Sequence, residues 1–246
     1  HAIEFLLWGQ NLHGAGPHSG ERSASDYDTT HCTHDNCARR ADYLRAAAEL
    51  LVDDLDELEK DWAPGGAARA ELLAKGPDGG LSEVLTGLGS LSFGEMAGER
   101  MKVGLMLHDP KEAQDCFSNN THNSHYYDQQ GIIGIWNGRY TDSAGHTTTG
   151  PSVRDYAMAV DPRAAQAVDR TLSETFSTLK VMKDAADSGR MPYDRMLVAG
   201  NTEGNRIVSD AMDALVVQTH AIETVAAALH LKIASNKSDH GPSGLN

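Results

Sequence analysis

Between residues 44 and 62 the apolar side chains Leu44, Ala48, Leu51, Leu55, Leu58 and Trp62 recur in steps of four and three, with Arg45, Asp53, Asp54, Glu57 and Lys60 filling much of the remainder. A strand, whose side chains alternate with a period of two, cannot gather such a set on one face; a helix can. Pro64-Gly65-Gly66 interrupts the pattern, and Pro77-Asp78-Gly79-Gly80 makes a second break before Leu81, Val84, Leu85, Leu88 and Leu91 restart helical spacing, expected to run to about Leu107.

The same periodicity returns twice. After Pro162 it is carried by Val168, Leu172, Phe176, Leu179 and Met182, and after Asn201 by Val208, Met212, Leu215, Ile222, Ala226 and Leu229. Residues 108–123 read as a polar loop, 124–138 as a short helix and 139–151 as a loop rich in Gly and Thr. The segment from Asn11 to Asn36, dense in Gly, Ser, Asp and His, is long enough to be functional or a lid, and the polar tail from Asn236 to Asn246 is expected to fray. Strand-like alternation is almost absent, so the class is all-α.

A chain of 246 residues, 40% of them apolar, can bury one large core or two small ones. No stretch reaches the roughly 18 to 20 consecutive apolar residues of a membrane helix. Lys plus Arg number 21 against 35 for Asp plus Glu, a net charge of −14, which repels phosphate backbones and excludes nucleic acid as a partner. The same balance favours cations, which makes a metal ion the expected partner. The chain opens on His1 with neither an initiator Met nor a leader, so we expect it to be a processed or trimmed product with something missing upstream.

His1-Ala2-Ile3-Glu4 places an imidazole and a carboxylate three apart, on one face of one helical turn, where both suit a transition metal such as iron or zinc. With 12 His in an acidic chain about one His-x-x-Glu is expected by chance, and a second copy stands at His220-Ala221-Ile222-Glu223. Spacing does not rank the two, and a solvated His beside a Glu is the commoner arrangement. Glu95 and Glu99 continue the line of Leu81, Leu85, Leu88 and Ser92, so two carboxylates stand on what had been an apolar face; Arg100 or a cation would compensate them, unless the helix there emerges into solvent.

Cys116-Phe117-Ser118-Asn119-Asn120-Thr121-His122 gathers hydroxyls, amides and an imidazole into a loop that leads on to His125 and Tyr126-Tyr127. His122 and His125 are spaced to chelate, although two chance histidines in a loop are commoner. His31-Cys32-Thr33-His34-Asp35-Asn36-Cys37 is too tight for the usual structural zinc spacings and reads as a local disulfide or a cap for the next helix. Three cysteines are too few for a disulfide scaffold; Cys32 and Cys37 could close a small loop, or either could reach Cys116. There is no Gly-rich phosphate loop, Gly-x-Ser-x-Gly elbow or His-Glu-x-x-His helix, which removes nucleotide-binding, serine-hydrolase and common metalloprotease readings.

The opening string HAIEFLLWGQ resembles the signature of the imelysin family, in which Gly-x-His-x-x-Glu opens an aromatic-Leu-Leu-x-Gly helix. CARRADYLRAAAELLVDDL at 37–55, GEMAGERM at 94–101 and CFSNNTHNSHYYDQQGI at 116–132 resemble its iron-regulated, cyanobacterial-type branch, so that the likeness covers nearly the whole chain. The resemblance implies an exported, all-helical protein of two packed pseudo-symmetric bundles with a metal or functional site at their junction. On that reading residues 1–138 hold the remainder of an incomplete first bundle with the long loop and central helices, and 139–246 complete the second.

Carried over by position, the resemblance marks His1 and Glu4 as the metal pair, with iron or zinc as the ion. It marks Glu95, Glu99, Arg100, Ser118, Asn119, Asn120 and His122 as site lining. The branch more often has Asp where Asn119 stands, which removes a possible anionic ligand. The family includes both metallopeptidases and iron-regulated envelope proteins. The expected function is therefore metal binding for iron acquisition in the periplasm or cell envelope, with other iron-uptake envelope proteins as partners. The alternatives are a zinc-type metallopeptidase, with Glu99 as the candidate general base, and a non-catalytic envelope interaction module.

Overall fold

The computed structural model describes residues 1–11 and 20–233. Part of the segment from Asn11 to Asn36 and the whole polar tail lie outside the described residues. The fold is all-α, a helical bundle. Its helices are α1 (Ala2–Trp8), α2 (Cys37–Trp62), α3 (Ala67–Ala74), α4 (Gly76–Gly89), α5 (Val103–Leu107), α6 (Thr121–Asn137), α7 (Val153–Val160), α8 (Pro162–Asp187), α9 (Tyr193–Leu197) and α10 (Thr202–Ala228). A π-helical segment, Ser90–Lys102, joins α4 to α5, so the helical path runs unbroken from Gly76 to Leu107.

The two longest core helices, α8 and α10, start at side-chain caps. Asp161 caps α8 by accepting from the amides of Arg163 and Ala164, with Pro162 as its first residue, and Asn201 caps α10 through Gly204. α8 and α10 run antiparallel: Thr175 donates to the Ala214 carbonyl at 3.1 Å, while the Leu172 carbonyl, a turn earlier, lies across Gln129 from Gln218, a turn later. Around this pair pack α4, the π segment and α6. One hydrophobic cluster joins Leu85, Met96, Met101, Ile132 and Trp136 to Val168, Leu179, Met182, Ile207, Leu215 and Ile222, drawing on both sides of the 138/139 boundary.

Inside that cluster sits a satisfied polar network. Gln129 donates to Gln218 at 2.6 Å, and Gln218 donates to Ser92 at 2.7 Å, all three fully buried. It ties α6, α10 and the π segment in one relative register.

Two expectations change here. Glu95 and Glu99 do not share the buried face of their helix, because the π segment re-phases it: Ser92, Met96, Ala97 and Met101 turn inward, while Glu95 is half-buried and Glu99 exposed. Wider i→i+5 turns rotate the residues that a 3.6-residue period would stack. Residues 139–151, read as a loop, contain a two-stranded antiparallel hairpin, β1 (Arg139–Thr141) with β2 (Thr147–Thr149), Tyr140 facing Thr148. Strands of three residues are too short to display alternation, and their β-branched threonines are the only local signal. Among the described residues no helix is long and apolar enough to cross a membrane.

Candidate functional site

α1 has only 7 residues, too few to persist alone, and is held by the chain that returns beneath it. Arg22 donates from its amide to the Trp8 carbonyl at 2.9 Å and from its guanidinium to the Phe5 carbonyl at 3.3 Å, and the Tyr27 hydroxyl donates to the Leu6 carbonyl. Gly20 donates to the Phe117 carbonyl at 2.7 Å, and a Cβ on Gly20 would lie 2.3 Å from the Trp8 carbonyl oxygen, so no larger residue fits. Asp26, buried, gathers Arg22, Thr33 and His34; hydrogen bonds from His34 and then Thr33 hold its carboxyl down at about 2. Cys32 and Cys37 are joined as a disulfide at the start of α2, and Cys116 is free. The described part of the long segment is thus a strap that fixes α1.

On the other side of α1 the loop 115–120 docks. Phe117 meets Phe5 edge to face at 5.1 Å between ring centres, and the backbone amide and hydroxyl of Ser118 both donate to Glu4 Oε1 at 2.8 Å. The other oxygen, Oε2, accepts from His1 Nδ1 at 3.0 Å, and His1 Nε2 accepts from the Gln114 amide at 3.4 Å. Asp115 completes the group: one ligand atom from each of His1, Glu4 and Asp115 lies within 4.8 Å of the others. Asp115 is itself held, its Oδ2 accepting from Ser124 at 2.6 Å and its amide donating to Thr121 at 2.9 Å.

Two carboxylates this close repel unless a positive charge stands between them. Among the described residues no Lys or Arg side chain forms an ion pair with either. Their field reaches Cys116, whose thiol is pushed up by burial first and then by the charges of Glu4 and Asp115. An ion seated among His1, Glu4 and Asp115 would replace the proton shared by His1 and Glu4 and cancel the repulsion. One imidazole nitrogen and two carboxylate oxygens form a donor set that fits a first-row transition metal.

Beside this cluster opens a cleft of about 610 Å³, lined among others by Arg100, Gln114, Asp115, Asn120, Asn123 and Asp128. Arg100 spans its rim, donating to Asp128 at 2.9 Å and to Glu95 at 3.3 Å. Burial raises the Asp128 carboxyl against the pull of Arg100. Of the residues marked by sequence, the structure brings His1, Glu4 and Ser118 together and sets Arg100 and Asn120 in the adjoining cleft.

The others lie elsewhere. Glu99 is exposed and belongs neither to the cluster nor to the cleft lining; Glu95 reaches the rim only through Arg100. Asn119, with a left-handed φ of 54°, turns its amide to Asp194 at 3.2 Å, and His122 pairs with Asp187 at 2.9 Å. His122 and His125 are in no metal-competent group among the described residues: His122 faces Asp187, and His125 packs against Tyr193 with neither ring nitrogen bonded, while burial lowers both imidazoles, His125 to about 3. Asp115 is the residue that sequence reasoning passed over. Its only signal was a carboxylate at the head of the Cys116-Phe117-Ser118 loop.

The two His-x-x-Glu copies are locally alike. His220 Nδ1 and Glu223 Oε2 also lie 3.0 Å apart, but on the exposed face of α10 and with no third donor among the described residues. Among curated proteins no match is found. A family model described as Imelysin, peptidase family M75, matches residues 1–222, a span that takes in the His1–Glu4 pair, the docking loop and the bundle behind them. The chain belongs to the imelysin family.

Proposed function

We propose that this chain is an exported metal-binding protein in which His1, Glu4 and Asp115 hold a transition-metal ion, iron before zinc, in the service of iron acquisition at the cell envelope. The observation that carries the reading is the convergence of one imidazole and two carboxylates, from α1 and from the loop that docks on it, within 4.8 Å. Two oxygen donors to one nitrogen favour a harder ion over the thiolate-rich sites typical of structural zinc. The net charge of −14 attracts cations to the surface. The Cys32–Cys37 disulfide supports an oxidising compartment outside the cytosol.

Elemental analysis of the purified chain tests this. About one equivalent of metal should co-purify or be taken up, and the His1→Ala, Glu4→Ala double variant should lose it. Equal metal content in both proteins rejects the site.

A second reading, a metallopeptidase, is favoured by the family's name and by the polar cleft beside the cluster. Hydrolysis through an activated water needs a general base within hydrogen-bond reach, a place that Glu99 does not occupy. Cleavage of a denatured protein substrate that stops on chelation would establish this activity, and its dependence on Glu99 is read from Glu99→Ala. Cleavage that survives chelation rejects a metal-dependent peptidase.

A further inference from the structure

Cys32 and Cys37, five positions apart, close a loop from which Thr33 and His34 both reach Asp26: Thr33 donates to Oδ1 at 2.7 Å, and His34 Nδ1 stands 2.6 Å from the same oxygen. The other oxygen of Asp26 accepts from Arg22 at 3.1 Å, and Arg22 in turn holds the Phe5 carbonyl of α1. The loop itself is tightly bent. Asp35 and Asn36 carry left-handed φ angles of 34° and 58°, and Asn36 gives the start of α2 no side-chain cap. The disulfide pins this bend together with Arg40, which donates to the His34 and Asp35 carbonyls at 2.8 and 3.0 Å. A line of direct contacts therefore runs from the disulfide through Asp26 and Arg22 to the short helix that carries His1 and Glu4.

The two sulfurs differ in a way that favours reduction. Cys32 is exposed, whereas Cys37 is buried as the first residue of the 26-residue α2. An incoming thiolate therefore attacks Cys32 Sγ. The S–S bond breaks and its electron pair leaves on Cys37 Sγ, beside the N-terminal amides of α2 and 3.7 Å from Arg40 Nη1, both of which favour a thiolate. A more stable leaving thiolate is expelled faster. With a dithiol as reductant, its second thiol resolves the mixed disulfide at Cys32: the dithiol is oxidised to its own disulfide, and its two protons pass to Cys32 and Cys37. The Cys37 thiol then has the Ser25 carbonyl, 3.6 Å away, as an acceptor.

We propose that Cys32–Cys37 is a thiol–disulfide exchange site that latches α1: closed, it holds His1 and Glu4 in place, and reduction by a dithiol frees α1 and weakens the hold on the ion. The effect on the ion rests on the metal-binding reading above; the latch does not. Opening the bond lets Asp35 and Asn36 leave the left-handed region and takes Thr33 and His34 off Asp26. α1, with 7 residues, has too few hydrogen bonds of its own to stay helical without the strap. The hydrophobic cluster between α8 and α10 takes no side chain from the loop and stays folded.

Hydrogen exchange of the metal-free 246-residue chain, before and after dithiothreitol in native buffer, tests the latch. Iodoacetamide capture in a denaturing quench should count one thiol before and three after, since only Cys116 starts free. Peptides covering residues 1–9 should exchange at least about 10-fold faster once the bond is open, with α8 and α10 unchanged. A bond that resists dithiothreitol until urea unfolds the chain, or an α1 that exchanges alike in both states, overturns the proposal. The Cys32→Ser, Cys37→Ser double variant frees no thiols to bind metal. It should exchange like the reduced chain and bind Zn2+ at least about 10-fold more weakly than the parent in a competition titration, the low end for groups that position a ligand from outside. Unchanged Zn2+ affinity with a freed α1 overturns the link to the ion. A parent chain that takes up no Zn2+ rejects the metal-binding reading, and the exchange of α1 then decides the latch alone.

Discussion

Ser118 grips one oxygen of Glu4 twice, through its backbone amide and its hydroxyl, and so leaves the other oxygen facing His1. The carboxylate is oriented before any ion arrives. Ser118→Ala removes the hydroxyl bond and keeps the amide, so metal affinity should fall by about 10-fold, the low end for a residue that positions a ligand without touching the metal. Competition titration against a chromophoric chelator measures it. Unchanged affinity would mean that the amide alone suffices.

Asp115 contributes differently, as a charge. Asp115→Asn keeps the shape and most of the hydrogen bonding but deletes one of the two negative charges, and should weaken metal binding more than Ser118→Ala does. Ser124→Ala, which frees the Asp115 carboxylate from its 2.6 Å bond, should weaken binding less and should add little on top of Asp115→Asn. Full additivity of those two substitutions would show that Ser124 does not act through Asp115.

The His220→Ala, Glu223→Ala double variant should leave metal stoichiometry unchanged, since that pair has the same 3.0 Å geometry but no third donor. Elemental analysis against the His1, Glu4 variant makes the comparison. The contrast also shows where sequence stops being informative. Helical spacing identified α2, α8 and α10 because an apolar stripe is a local property of the chain. The value of a His-x-x-Glu turn depends on a residue more than a hundred positions away, Asp115, which no local pattern supplies. The alternatives left open for Glu95 and Glu99, carboxylates on a buried face or a helix emerging into solvent, turned on i→i+5 turns with Met96 and Met101 inward, which a 3.6-residue count cannot anticipate. The pairing of Cys32 with Cys37, by contrast, needed only one of the options already open at that spacing.

The glutamine network offers a prediction on stability. Gln218→Leu would strip Ser92 of its 2.7 Å partner and leave the Gln129 amide to the Leu172 carbonyl alone, with both side chains fully buried. A loss of about 2–4 kcal/mol is expected from leaving buried polar groups unpaired, measured as a lower urea midpoint with the slope unchanged. A neutral outcome would mean that the core relaxes enough to admit water at Ser92.

Two buried groups on α6 and α9 make the stability of the bundle depend on pH in opposite senses. Burial first, then the charges of Arg100 and His122, hold His125 at about 3, below its ordinary 6.5. As pH falls below 6.5 the unfolded chain takes up a proton that the folded chain refuses, so stability is lost on acidification, by about 2 kcal/mol at pH 5. Burial raises Asp194 to about 6 from 3.8, against the opposing hydrogen bonds from the Arg195 amide and Asn119. Here the folded chain keeps a proton that the unfolded chain releases, so this contribution is full below 3.8 and is lost as pH rises through 6. His125→Phe, which keeps an aromatic ring against Tyr193, should therefore flatten the acid side of a plot of Tm against pH. Asp194→Asn should raise Tm relative to the parent above pH 6 and change it little at pH 4. If both variants track the parent curve in parallel, these two groups do not set its shape, and the acid lability must come from elsewhere in the fold.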